Sequence, residues 1–335
     1  MGLSQEQLEF RKSGWGASEI ASLAGLNPWC SRSEAILRKQ GKMEPIPTTP
    51  AMERGNYIEP VIGRWFADKT GYKVVSLGHK TMRHPEHEWM LATPDFGFHK
   101  NGAGITEEWI LDGIMEAKTA AFSQAAQWGK TSIESPTDSI PPRYNVQVHV
   151  QAAVCSANMD MEPITDVPVV SLVDGEFRMY KVKIDPEVNG ILVDIGKKAW
   201  DEVVSGEDPT PDGSKGFSDF LTQKWPETRE DILEADADGI ELCERLNLLT
   251  DKIKGLTEDK TLLQQNIKNL LGDAPGIQGT FGKIWWKYAK STKPVAWKAM
   301  AEDLLKDLPE EKQAAVLDQF TGYKPGIRSF RCYFK

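Results

Sequence analysis

Hydrophobic positions recur along this chain at two spacings, and the switches between them predict its elements. Residues 5–12 read as a short polar helix carrying Arg11 and Lys12. After a turn built on Gly14 and Gly16, the apolar face Ile20, Leu23 and Ala24 predicts a helix with Ser18 as N-cap and Gly25 as C-cap. Another short helix is expected at 33–41. From Met52 to about Thr70 a longer one presents Tyr57, Ile58, Val61, Ile62, Trp65 and Phe66, with Pro60 able to bend it and Gly71 ending it. Strand-like runs follow at 72–77 and 80–83. The apolar runs 89–92 and 109–115 then flank a polar, glycine-rich hairpin at 101–104.

The stretch 119–142 is long and polar, a length typical of functional lids, with a short helix expected at 123–129. Pro141 and Pro142 open a helix at 143–157 that sets Tyr144, Gln147 and Gln151 on one face, and Arg143 and His149 on others. Asp174-Gly175 joins runs 167–173 and 177–184 into a β-hairpin, and a helix at 191–204 carries Trp200 inward. These boundaries divide the chain into a first domain at 1–208, a Pro/Asp/Gly-rich linker at 209–225, and a C-terminal part at 226–335.

In that last part Leu242, Leu246, Leu249, Ile253, Leu256, Leu263, Ile267 and Leu270 alternate four and three apart, which predicts a coiled-coil helix or a helical hairpin. A strand at 283–287, a helix at 295–308 and a final strand at 327–334 follow. Lys283, Lys287, Lys290, Lys293, Arg328 and Arg331 interleave there with Trp285, Trp286 and Tyr288. That pattern fits a nucleic-acid surface and fits a small sheet packed on a helix equally well.

A net charge of −9 over 335 residues rules out a general basic coat, so any polyanion must be held by a local cluster or through metal ions. Cys30, Cys155, Cys243 and Cys332 have no paired spacing, which argues against zinc or iron–sulfur sites and for reduced thiols in a cytoplasmic chain. No apolar run is long enough for a signal peptide core or a membrane span.

The chemistry concentrates between Thr93 and Lys118. Asp95 follows one apolar run, and Glu116 and Lys118 end the next. On a strand Glu116 and Lys118 share a face roughly 7 Å apart while Ala117 points away. Two acids with an ammonium beside them suit a divalent-metal phosphodiesterase. Glu59, set in apolar surroundings, reads either as a partnered acid or as a member of that site.

Taken in order, five motifs resemble the YqaJ-type viral recombinase nucleases, relatives of phage lambda exonuclease in the PD-(D/E)xK superfamily. They are Arg11 through Ser18-Glu19-Ile20, Arg54 through Glu59-Pro60, Leu91 through Asp95, Glu116-Ala117-Lys118-Thr119, and the helix with Gln147. The resemblance implies a restriction-endonuclease-like α/β core, a mixed sheet flanked by helices, with the helical and small β appendage outside it. It implies a Mg²⁺-dependent 5′→3′ exonuclease acting on double-stranded DNA ends, with two ions per site and Mn²⁺ as a substitute. Asp95, Glu116 and the Ala117 carbonyl would ligate metal, Glu59 would support the second ion or its waters, and Lys118 would polarise the attacking water. Arg11, Ser18 and Thr93 would grip the 5′-phosphate, with Gln147 and His149 as DNA contacts; His149 stands where the family commonly has a second glutamine.

A ring-shaped homo-oligomer, a trimer or larger, is also implied, as is a single-strand annealing partner in phage-type recombination inside a bacterial host. The alternatives are a PD-(D/E)xK endonuclease and a non-catalytic DNA-binding or assembly protein on the same fold.

Overall fold

Side-chain caps open several of the helices in the computed structural model, which describes residues 5–78, 80–100, 111–158, 162–228, 230–287, 296–306 and 308–320. Two units are distinguished, Met1–Trp225 and Pro226–Lys335. The first contains, in order, α1 (Gln5–Phe10), a 3-10 turn (Arg11–Ser13), β1 (Trp15–Gly16), α2 (Ala17–Leu23), α3 (Arg32–Lys39) and α4 (Pro50–Thr70). Then come β2 (Lys73–Ser76), β3 (Met82–Arg83), β4 (Met90–Ala92), β5 (Phe96–His99), β6 (Gly113–Ala120), α5 (Pro142–Asn158), β7 (Asp166–Val173), β8 (Glu176–Lys183), α6 (Pro186–Ser205) and α7 (Lys215–Lys224).

Two sheets form. One is a mixed sheet in the order β2-β5-β6-β7-β8, antiparallel except for the β6–β7 pair; the other has β4 between β1 and β3. Alternation along β6 sends Met115 and Ala117 to one face, where they pack with Ile62 and Phe66 of α4 and with Phe96, Phe98 and Val170. Ile114 points the other way, into a core shared with α2, α5 and α6 that includes Trp15, Ile20, Val148, Leu192 and Ala199. Helices therefore cover both faces of a mixed sheet, the architecture expected from the motifs.

Thr49 caps α4 by accepting from the Met52 N–H at 3.2 Å, and Gly71 closes it at φ 73°. Pro60 lies inside it. The buried face is narrower than the apolar pattern suggested. Ile62, Gly63 and Phe66 are buried, whereas Tyr57 is 77% exposed and Val61 40% exposed. Gly63 makes the approach to the sheet, since a Cβ there would stand 2.7 Å from the Phe96 ring. Alanine would gain about 1 kcal/mol of helix propensity, but forcing a methyl into that contact costs about 1–3 kcal/mol. Gly63→Ala is therefore expected to lower unfolding free energy in urea titrations, and a gain in stability would contradict this packing.

The stretch 209–225, expected as a linker, instead forms part of the first unit. Ser214 caps α7, whose Phe217 and Phe220 pack on Leu37 of α3. Lys42 and Lys224 both pair with Asp208. Asp212 accepts from the Ser33 N–H at 3.1 Å and from the Ser214 N–H at 3.0 Å. Burial opposes its ionisation, yet hydrogen bonds from Ser31, Ser214 and Ser33 outweigh that and hold the carboxyl well below the usual range. A depressed carboxylate stabilises fully above its unfolded pKa of about 4 and loses that contribution as pH falls through the lower folded value. Asp212→Ala is expected to cost about 1–2 kcal/mol at neutral pH. The difference from the parent should shrink in acid, as read by denaturation at a series of pH values.

The second unit contains α8 (Ala237–Leu271), β9 (Gly276–Gly279), β10 (Gly282–Trp285), α9 (Trp297–Leu305) and α10 (Glu310–Phe320). Asp236 caps α8 by accepting from the Gly239 N–H at 2.8 Å. α8 runs as one 35-residue helix, not a helical hairpin, and Leu242, Leu249, Ile253, Leu256, Leu263 and Leu270 of its heptad seam are exposed. The strand expected at 283–287 is β10, paired with β9, a segment read from sequence only as a helix break. The hairpin expected at 101–104 and the strand expected at 327–334 lie outside the described residues. Among the described residues, no helix is long and apolar enough to cross a membrane.

Candidate active site

The antiparallel register of β5 and β6 places Phe96 opposite Met115, which brings Asp95 level with the start of the acid–alanine–lysine motif. One Asp95 oxygen accepts from the Ala117 N–H at 2.8 Å, and its carbonyl accepts from the Leu77 N–H at 2.9 Å. Glu116, only 1% exposed, points from β6 toward α5. Its Oε2 accepts from Gln151 Nε2 at 2.8 Å, while its Oε1 accepts from both Gln147 Nε2 and Lys118 Nζ. Two glutamines one helical turn apart therefore hold both oxygens of the buried acid. Gln151, which the sequence places on the Gln147 face, joins the site as a residue not singled out for it.

Burial pushes the Asp95 carboxyl well above the usual range, and Glu116 adds to the rise while Lys118 opposes it. Burial raises Glu59 as well, again reinforced by Glu116 and opposed by Lys118. For Lys118, burial disfavours the ammonium, but Glu116 and Asp95 outweigh it and hold the group protonated above its ordinary value. The Lys118 nitrogen also lies 5.2 Å from the centre of the Tyr144 ring.

A cleft of 820 Å³ joins these groups to the N-terminal motif: Arg11, Ser18, Glu59, Thr93, Asp95, Glu116, Ala117, Lys118 and Gln147 all line it. Ser18 is not the helix cap. Gly16 holds that position, and Glu19 reaches back to accept from its N–H at 2.8 Å. That leaves the Ser18 hydroxyl facing Arg11, whose Nη2 lies 3.3 Å from it and 3.4 Å from Glu19 Oε2. Lys39, from α3, pairs with Glu19 at 2.9 Å and donates to the Arg11 carbonyl at 2.9 Å. Burial pushes the Lys39 ammonium down, and Glu19 draws it back up. Lys39 carried no sequence signal of its own, and Glu19 entered only as part of the N-terminal motif, without a role.

His149 does not enter the cleft. It is 2% exposed on another side of α5, where Nε2 accepts from the Asp185 N–H at 3.2 Å and Nδ1 faces the Asn145 carbonyl at 2.9 Å. Nε2 joins α5 to the start of α6 while Nδ1 stays within α5, so both ring nitrogens meet backbone groups away from the cleft where a DNA contact was expected. Gln147 likewise spends its amide on Glu116.

The donor set fits a hard divalent cation. Asp95, Glu116 and the Ala117 carbonyl offer oxygen ligands, and crowded carboxylates whose charge burial resists would be relieved by positive charge between them. Among the described residues, no three His, Cys, Asp or Glu side chains already converge as a complete cage. Two carboxylates in one cleft would leave positions for waters, as hard divalent cations held by few acids keep them.

Residues 6–159 match the model of the YqaJ-like viral recombinase domain. Over 309 residues the chain is 25% identical to the uncharacterized protein YqaJ of Bacillus subtilis strain 168, covering 90% of this chain and 87% of that protein. Among solved structures, the alkaline exonuclease LHK-Exo of Laribacter hongkongensis aligns with TM-score 0.44 and 17% identity, over 66% of this chain and 97% of that one. A phage-related exonuclease from Haemophilus somnus aligns with TM-score 0.40 and 10% identity, over 57% of this chain and 95% of that one. Residues 6–159 are thus similar to the YqaJ-like viral recombinase domain, and nearly the whole chain is similar to the YqaJ protein of Bacillus subtilis.

Proposed function

We propose that this cleft is a Mg²⁺-dependent deoxyribonuclease site that degrades one strand of linear duplex DNA from its 5′ end. The observation supporting it is that the Asp95, Glu116 and Lys118 cluster shares one cleft with Arg11 and Ser18. Asp95, Glu116 and the Ala117 carbonyl would hold the first ion, and Glu59 would support the second or its waters. Divalent ions held there would supply positive charge against the negative charge that builds up as a phosphodiester is hydrolysed. Gln147 and Gln151 fix the direction of the Glu116 carboxylate. Lys118, kept charged by its acidic neighbours, donates to the attacking water and to the scissile phosphate. Arg11 and Ser18, with Thr93 nearby, receive the terminal 5′-phosphate.

The same reading includes a ring-shaped homo-oligomer of three or more copies and a single-strand annealing partner, acting in a bacterial host. The exposed heptad seam of α8 supports association between copies. Digestion of matched linear and closed circular duplexes tests the reading. Linear DNA with 5′-phosphate ends should be degraded in Mg²⁺ and spared in EDTA, with circles intact in both. Cutting of circles would favour an endonuclease, and inert linear DNA would favour a non-catalytic assembly protein.

A further inference from the structure

The β9–β10 hairpin of the second unit carries chemistry that the cleft does not use. Its register sets Lys283 opposite Gln278 and Trp285 opposite Gly276, so Lys283 and Trp285 lie on one face while Ile277 and Ile284 pair on the other. Trp285 is 61% exposed and Phe281, at the turn, 65% exposed. Neither ring is loosely held. A Cβ at Gly276 would stand 2.9 Å from the Trp285 ring, and one at Gly279 would stand 2.7 Å from the Phe281 ring. Each ring therefore lies against the bare backbone of a glycine, where a side chain would displace it.

Positive charge accompanies the rings. Lys287 sits 4.8 Å from the Trp285 ring centre, and Lys268 of α8 sits 5.9 Å from that of Trp286. From Lys268 to Lys287 the charged residues are Lys268, Lys283 and Lys287 against Asp273 alone, in a chain whose net charge is −9. The sign reverses where the aromatics cluster.

We propose that the hairpin face carrying Lys283 and Trp285, with Lys287 beside the Trp285 ring, binds single-stranded nucleic acid. Exposed rings offer stacking surfaces to unpaired bases, and interleaved lysines meet the phosphates between them. A duplex hides its base faces within its own stack and cannot use the rings this way. A protein partner fits less well, because the centres of protein interfaces are depleted of lysine. Rings already held against glycine backbone lose little freedom on stacking. The proposal does not depend on nuclease activity, and DNA and RNA strands share the chemistry it needs.

The test uses the full chain in EDTA, with fluorescence anisotropy of labelled dT20 and U20. The variant Trp285→Ala is expected to weaken binding of at least one strand about tenfold or more. Lys283→Glu/Lys287→Glu, confined to exposed side chains and so the safer variant for folding, is expected to weaken binding and flatten its salt dependence. Affinity for both strands unchanged in both variants overturns the proposal. A changed mass in sedimentation with unchanged affinity also overturns it and marks the face as a protein interface.

Discussion

Glu116→Gln is expected to lower cleavage of linear duplex DNA about a thousandfold or more while the protein stays folded. Glu116 is the acid most completely enclosed by its neighbours, with both oxygens occupied by Gln147, Gln151 and Lys118. Removing its charge takes away an anionic oxygen from the proposed ion site. Charge stabilisation of several kcal/mol is what bound metal supplies to phosphodiester hydrolysis, and each 1.36 kcal/mol corresponds to tenfold in rate. The fold should survive because glutamine has nearly the same shape and still presents one accepting oxygen. Asp95 also loses a like-charged neighbour that pushes its carboxyl upward, which offsets part of the weakened contact to Lys118. Single-turnover digestion in Mg²⁺, with circular dichroism on the same samples, reads both outcomes. Activity within tenfold of the parent would remove Glu116 from the chemistry. Lys118→Ala, which deletes the proposed donor to the water and phosphate, should produce a comparable loss.

What could be read from sequence follows the range over which each signal acts. The two-residue period of a strand placed Glu116 and Lys118 on one face and Ala117 on the other, and that division separates the two cores. The turn residues Asp174 and Gly175 take φ of 53° and 82°, as a tight two-residue hairpin requires, so β7 and β8 were legible too. By contrast, the parallel pairing of β6 with β7 joins segments separated by the whole of α5, and no local pattern encodes it. His149 looked available because a polar residue on a half-polar helix reveals nothing of the Asp185 amide that another element brings to it. Ser18 looked like a cap because serine favours that role; Glu19 reaching back to Gly16 moved the helix start two residues earlier. Residues 209–225 looked like a linker from their composition, and only the packing of Phe217 and Phe220 on α3 reveals α7 as part of the fold.

Arg11→Ala is expected to slow digestion of 5′-phosphorylated ends about ten- to hundredfold, the worth of a charge-assisted hydrogen bond, and to leave 5′-hydroxyl ends nearly unaffected. The guanidinium lies close against Gly16, where a Cβ would stand 2.3 Å from Nη2, so its position is set by backbone as well as by Ser18 and Glu19. Glu19 does not cancel its charge alone, because Lys39 shares the same carboxylate. Two cations on one acid leave net positive charge beside the Ser18 hydroxyl, the balance a terminal phosphate would complete. Deleting Arg11 leaves Glu19 bound to Lys39 and to the Gly16 N–H, so the start of α2 and the cleft acids Asp95 and Glu116 should hold their places. The measurement is therefore the ratio of rates on phosphorylated and dephosphorylated duplexes, for parent and variant. If Arg11 grips the end phosphate, the parent prefers phosphorylated ends and the variant loses that preference. An equal loss on both kinds of end would assign Arg11 to the duplex backbone instead.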